Sequence, residues 1–304
     1  MTVHDILLFL NQEKITYIFR GSEDIIIEGA SPLKDIKNKT ITWVRNLQKS
    51  QIDIINQKDN ILVVCNDSDL TSGIKHSLLL VDNPHRIFFK IIEALFYTRP
   101  YYHSTNSVIR TKNYGEGLNV GDFTYIGENV VLGRNCSIAQ NVVIDGCVTI
   151  GDNCIIEPGV KIGVTGFGRY RNDNNTCNMV PHIGGVRIGN SVYIGANTII
   201  ARGTLSDTVI GDHTKIDSLC GIAHNATIGN RVIITGMAAV AGSATVEDDC
   251  WLSPGVIINS AVTVGQGSFV GMNSIVTHDM PGGQYIFGNP AKVIKENTDT
   301  KYNI

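Results

Sequence analysis

An aliphatic residue returns every sixth position through most of this chain. From Val120 it falls on Ile126, Leu132, Ile138, Ile144, Ile150, Ile156 and Ile162. It resumes at Ile188, Ile194 and Ile200, slips once more, and then runs in sixes from Ile210 to Val276. Neither the 3.6-residue period of a helix nor the two-residue period of a strand gives this spacing. A hexapeptide repeat is the signature of a parallel β-helix. Three short strands close one triangular coil, so eighteen residues climb one rung. The aliphatic residue of each hexad points into the prism and stacks on its equivalents above and below. Gly and Asn, which tolerate positive φ, suit the corners.

The rest of the chain divides around this repeat. Residues 1–100 do not repeat and read as a small α/β domain. Its helices are expected over Val3 to Lys14 and about His85 to Phe96, the second capped by Asn83-Pro84. Short strands are expected at Tyr17 to Phe19, Asp24 to Glu28, Thr40 to Val44 and Asn60 to Cys65. Residues 101–281 form the solenoid, interrupted by a glycine-bearing polar loop at about 164–182. Residues 282–304 are a C-terminal extension. The expected fold is therefore mainly β: a β-helix with a small N-terminal α/β domain and a short extension.

Composition excludes several functions. With a net charge of −3, and no basic patch or stripe, the chain is not built for nucleic acid. The first residues show no signal peptide, and no apolar run reaches the length of a membrane helix. Seven scattered cysteines with no CxxC spacing read as reduced, small core residues of a cytoplasmic protein, not as a disulfide frame or zinc site.

Few residues stand out for chemistry. His224 occupies a corner of its hexad and points outward, and Gly242 lies eighteen residues on, one rung above. A histidine beside a bare backbone position suits a general base with a substrate against the wall, or is a solvated corner histidine with no role in chemistry. Asp217 and Ser218 precede His224 on the previous face. His182, at the base of the projecting loop, reads either as a backbone-bonded loop histidine or as a residue facing a neighbouring subunit. Trp43, with Asn46 nearby, could stack on and bond a nucleobase, or be a core residue of a strand. Zinc chemistry needs about three ligands, and no two histidines lie close in sequence or share a face at coil spacing, so no metal is expected.

At Asn83-Pro84, Ile162-Gly163-Val164-Thr165-Gly166-Phe167-Gly168, Pro181-His182-Ile183-Gly184, Asp207 to Gly211, Ile216-Asp217 and Ile222-Ala223-His224-Asn225, the sequence resembles the UDP-3-O-acylglucosamine N-acyltransferases of lipid A assembly. The resemblance implies a left-handed coil, a homotrimer with sites between subunits, and N-acylation of a nucleotide-linked amino sugar. It implies His224 as base, Asp217 as its support, Trp43 as the ring that stacks on uracil, and Asn46, Phe167, His182 and Asn225 as substrate contacts. The chain departs from that family in three places, one of them Ser218, which replaces an Asn next to the Asp. Ala261 stands where the lipid A enzymes carry a second histidine. Gly288-Asn289-Pro290-Ala291-Lys292 resembles the closing motif of coenzyme A-dependent hexapeptide acetyltransferases. The expected donor is therefore an acyl-CoA carrying an acetyl or short 3-hydroxyacyl group. The expected acceptor is a dTDP- or UDP-linked amino-dideoxy sugar of O-antigen, capsule or S-layer glycans. Two other readings stay open: a lipid A N-acyltransferase fed by acyl carrier protein, and a non-catalytic trimeric solenoid that binds a nucleotide sugar.

Overall fold

A computed structural model describes residues 1–45, 47–66, 69–98 and 104–296. Asn46 and the last eight residues lie outside that set. The chain divides into two compact units, Met1–Pro100 and Tyr101–Ile304.

The first unit is a five-stranded sheet with helices. In chain order it contains α1 (Val3–Gln12), β1 (Ile18–Arg20), β2 (Gly29–Ala30), β3 (Thr40–Val44), α2 (Lys49–Asn56), β4 (Leu62–Cys65), β5 (Ser77–Leu80) and α3 (Pro84–Ile91). The strand order is β1-β5-β4-β3-β2, with only β1 antiparallel to its neighbour. Asn83 caps α3 as its sequence suggests, its Oδ1 accepting from Arg86 N at 3.1 Å. The helix is shorter than its apolar stripe, because the backbone widens into a π turn over Ile92–Phe96. The run Asp24 to Glu28 forms no strand; the pairing residues are Gly29 and Ala30. The α2 and β5 segments carry weak sequence signals. Every residue of β5 is buried, so the strand shows no polar alternation.

The second unit is the left-handed β-helix. Its strands lie in three parallel sheets of eight, ten and nine members, the ten-stranded sheet ending in an antiparallel hairpin. Eighteen-residue pairing is explicit, as in Ser137↔Ile155 and Thr227↔Thr245. Aliphatic residues from Val120 to Val276 make one continuous core, with Ile126, Ile144, Ile162, Ile200, Ile216, Ile234 and Ile258 wholly buried. At about 25 cal/mol per Å² of apolar surface, each such side chain stabilises the coil by roughly 2 kcal/mol. The corners adopt positive φ. Asn fills many of them, including Asn135, Asn153 and Asn273, while Leu219 (φ 61°) and Met237 (φ 61°) accept the same conformation and stay exposed.

The two breaks in the hexad count have a structural meaning. Between the strands Ile155–Ile156 and Tyr193–Ile194 the paired residues are 38 apart, not 18, because a loop leaves the coil. Part of this loop is an antiparallel ribbon, Arg169–Arg171 on Cys177–Met179. The next coil pairs residues 22 apart, as in Ile199↔Gly221, so the second slip is a four-residue excursion at 201–207. The excursion sews the loop to the wall. Arg202 Nε donates to Gly163 O at 2.7 Å, and the Ile183 and Gly184 amides donate to Thr204 O and Gly203 O.

All seven cysteines are free thiols. Five are small core residues as expected, and burial pushes the Cys250 thiol up to about 12. Cys147 and Cys177 are corrections to that reading, since both are exposed. Beyond the last regular coil, strands Gln284–Gly288 and Ala291–Glu296 form a hairpin on the sheet that carries Phe269–Val270. Among the described residues no helix is long and apolar enough to cross a membrane.

Candidate active site

The strand Gly221–Ile222 ends at a corner made of Ala223, His224 and Asn225. Asn225 takes the left-handed conformation, with φ 61°, and thereby turns the chain toward the strand Thr227–Ile228. Its backbone N–H donates to Thr208 Oγ1 at 2.9 Å. The half-buried His224 side chain stands on the outside of this corner.

The Asn225 amide is oriented by backbone groups whose roles are fixed. Thr204 N–H, a donor only, lies 3.0 Å from Oδ1, and the Thr204 hydroxyl donates to the same oxygen at 2.9 Å. Ser206 O, an acceptor only, lies 3.0 Å from Nδ2. The oxygen end is therefore the one that faces His224 Nδ1, at 3.0 Å. An amide oxygen only accepts, so Nδ1 carries the proton and donates. In the neutral ring the other nitrogen, Nε2, then holds a lone pair. That is the tautomer a general base needs.

Gly242 sits one rung above, as the eighteen-residue count requires. A Cβ built there would lie 2.8 Å from both Cε1 and Nε2 of His224. Only glycine leaves room at the basic nitrogen. The Gly242 N–H makes no hydrogen bond among the described residues, while the next amide, Ser243 N, donates to His224 O at 2.9 Å. The loop supplies the opposite wall. A Cβ on Gly166 would lie 2.6 Å from His182 Nε2 and 2.7 Å from His224 Cβ, and one on Gly168 would press on Val180 and His182. Phe167, between them, is 76% exposed. His182 is buried, its ring 5.0 Å from the His224 ring and edge-on to it, with Nδ1 donating to Val180 O at 2.8 Å.

His224, Gly242, Asn225, His182 and the Gly166–Gly168 loop are thus brought together. Asp217 is not. It lies one corner earlier, between Lys215–Ile216 and Gly221–Ile222. Its exposed carboxylate accepts from Ser218 N at 2.7 Å and Gly236 N at 3.1 Å. Within the chain Asn225, not Asp217, bonds the imidazole. Thr204 and Ser206, which set the Asn225 amide, carry no motif of their own. The only sequence sign of them is the slip in the hexad count. Asp207, in the same excursion, accepts from Gly185 N at 2.9 Å, and the Arg187 guanidinium holds its carboxyl below the usual carboxylate range.

The remaining candidates lie elsewhere. Trp43, on β3 of the first unit, is half-buried, with His85 edge-on at 4.9 Å and Phe89 at 6.5 Å. Asn46 is outside the described residues. Gly288, Asn289 and Pro290 form the exposed turn of the C-terminal hairpin, with Ala291 buried and Lys292 exposed at the start of its second strand. Among the described residues no cluster of His, Cys, Asp or Glu could hold a metal ion.

The coil and its repeats define the class: this is a hexapeptide-repeat, left-handed β-helix protein. The family described as bacterial transferase hexapeptide (six repeats) matches residues 133–163 and 207–242. Among characterised proteins the chain is similar to the UDP-3-O-acylglucosamine N-acyltransferase of Methylorubrum extorquens (strain PA1). The two are 41% identical over 138 residues, which is 45% of this chain and 39% of that protein. The matched stretch thus spans about two fifths of that relative's length. The enzyme of the same description from Herminiimonas arsenicoxydans is 29% identical over 290 residues, 87% of this chain and 83% of that one. Among solved structures, the UDP-N-acetylglucosamine acyltransferase of Bacteroides fragilis superposes with a TM-score of 0.56 at 24% identity, covering 64% of this chain and 74% of that one. Its counterpart from Campylobacter jejuni gives 0.57 at 24% identity, with coverage of 64% and 74%. These structures share the fold.

Proposed function

We propose that the protein is an N-acyltransferase. It moves an acetyl or short 3-hydroxyacyl group from acyl-CoA to the amine of a dTDP- or UDP-linked amino-dideoxy sugar. The observation that carries the reading is the tautomer lock on His224: Asn225 Oδ1 on Nδ1 leaves the Nε2 lone pair bare against Gly242. An amine attacking a thioester must shed a proton, and a base fixed in its proton-accepting form contributes roughly 10²–10⁴ in rate. His224 takes the proton as the nitrogen bonds to the carbonyl carbon. It returns the proton to the thiolate as the C–S bond breaks. The unbonded Gly242 N–H is the donor for the oxyanion between those steps. Phe167 and Asn225 border the acceptor sugar, and the turn at Gly288 to Lys292 meets the nucleotide end of CoA. The protein works as a homotrimer in the cytoplasm.

A second reading has one observation in its favour. A relative that aligns with most of the chain is described as a UDP-3-O-acylglucosamine N-acyltransferase. On that reading the acceptor is the lipid A precursor and the donor is a carrier protein. A thiol-release assay separates the two. Acetyl-CoA and 3-hydroxybutyryl-CoA are crossed with dTDP-3-amino-, dTDP-4-amino- and UDP-amino-sugars, with His224→Ala as control. Turnover with a CoA donor that disappears in the variant is the expected result. Turnover only with an acyl carrier protein donor overturns the donor assignment. Wild-type turnover in His224→Ala removes His224 from the chemistry.

A further inference from the structure

The His182 ring holds an anomaly. Its Nδ1 lies 2.8 Å from Val180 O, and a carbonyl only accepts, so Nδ1 carries the proton. The neutral ring then has a lone pair on Nε2, and that atom is buried with no hydrogen-bond partner. A buried acceptor without a donor is costly and uncommon in folded proteins. Val180 pins the ring from one side and the two glycines of the Gly166–Gly168 loop press on it from another. Nothing in this packing requires a nitrogen at that edge; a carbon would fill the space as well.

The neighbour that changes charge is His224, with its ring centroid 5.0 Å away and its plane at 68°. Facing His224 are the Asn225 amide from its own corner, the Gly242 backbone from the next rung, and Gly166 and His182 from the loop. Thr204 and Ser206 stand behind Asn225. Among the described residues no carboxylate and no cationic side chain bonds either ring. When His224 accepts a proton, the positive charge therefore has one oriented oxygen on Nδ1 and a neutral imidazole with a bare lone pair beside it. An unpaired charge in such surroundings is expensive, and a fixed electron-rich group nearby offsets part of that cost.

We propose that His182 is a positioning residue for this reaction: its bare Nε2 is retained because it faces the charge that His224 acquires during acyl transfer. It acts through His224 and does not touch substrate, which replaces the substrate contact expected for it. The inference rests on the acyltransferase reading, and two substitutions of opposite character separate it from simple packing. His182→Phe keeps an aromatic ring of similar outline and removes the lone pair. His182→Gln gives up the ring and keeps an acceptor. If the lone pair matters, Phe lowers kcat by about tenfold or more with KM little changed, and Gln stays within about fivefold of wild type. If packing is all that matters the order reverses, and Phe equal to or better than Gln overturns the proposal.

Thermal unfolding of both variants checks that each is folded. The wild-type enzyme supplies a measurement that needs neither substitution nor substrate. In ¹⁵N-histidine spectra, His182 Nε2 should resonate as a bare nitrogen. An Nε2 signal that is already hydrogen-bonded overturns the proposal even if no substrate is found. Loss of turnover in His224→Ala tests the acyltransferase reading separately, so the two can fail independently.

Discussion

Replacing Asn225 with glycine removes the His224 lock and little else. Residue 225 has φ 61°, a conformation glycine adopts without strain, so the backbone of the corner should survive. The side chain that disappears accepts from Thr204 N, Thr204 Oγ1 and His224 Nδ1, and donates to Ser206 O and Oγ. The Thr204 and Ser206 groups sit at a half-open surface where water can replace the amide, so the stability cost is about 1–2 kcal/mol. The catalytic cost is different in kind. Without an acceptor on Nδ1 the ring can carry its proton on Nε2, which abolishes the lone pair aimed at the substrate. It can also swing away from Gly242. Losing one orienting bond worth about 1–3 kcal/mol corresponds to roughly 5- to 150-fold in kcat. The assay is thiol release at saturating substrate, with thermal unfolding in parallel. Asn225→Asp is the companion: it keeps an acceptor for Nδ1 but sets a carboxylate oxygen against Ser206 O, and its activity should lie above that of the glycine variant. A folded Asn225→Gly protein with wild-type kcat would refute the lock.

Gly242→Ala should abolish turnover with little change in thermal stability, because the new Cβ falls 2.8 Å from the basic nitrogen, at a half-buried corner and not in the core; steady-state kinetics and a melting curve together test this. Ile234→Ala, at a wholly buried position between Ile216 and Leu252, should cost about 2–5 kcal/mol in a denaturant titration. Asp207 gives a pH prediction. Its carboxyl is held below the ordinary value of 3.8, first by Arg187 and also by the Gly185 amide. Its contribution is therefore present above that value and lost as pH falls through the lower native one. Asp207→Asn should be the less stable protein at pH 7, by no more than about 1 kcal/mol for a pair this exposed to solvent, and the two melting temperatures should converge below pH 4.

The repeat could be read directly because every hexad obeys the same rule, and a side chain eighteen residues from another must lie one rung away. That arithmetic alone placed Gly242 against His224. It failed where the count broke. The contacts of Asn225 with Thr204 and Ser206, and of His182 with His224, depend on how a 20-residue loop and a four-residue excursion fold back, and no period describes that. Asp217 shows the opposite limit. The family resemblance implied partnership with His224, but seven residues in this fold carry the chain to another corner. In the first unit, Trp43 showed its strand but not its neighbours, since His85 and Phe89 reach it from α3 through tertiary packing.

The ladder of eighteen-residue pairs also governs how the second unit comes apart. Among the described residues each coil bonds to the coil before and the coil after, so the unit behaves as a zipper with two ends. Fraying at either end costs a few local bonds and leaves the remainder intact. The corner that carries His224 lies several coils inside both ends. It would therefore be among the last places to lose its geometry as the ends unravel.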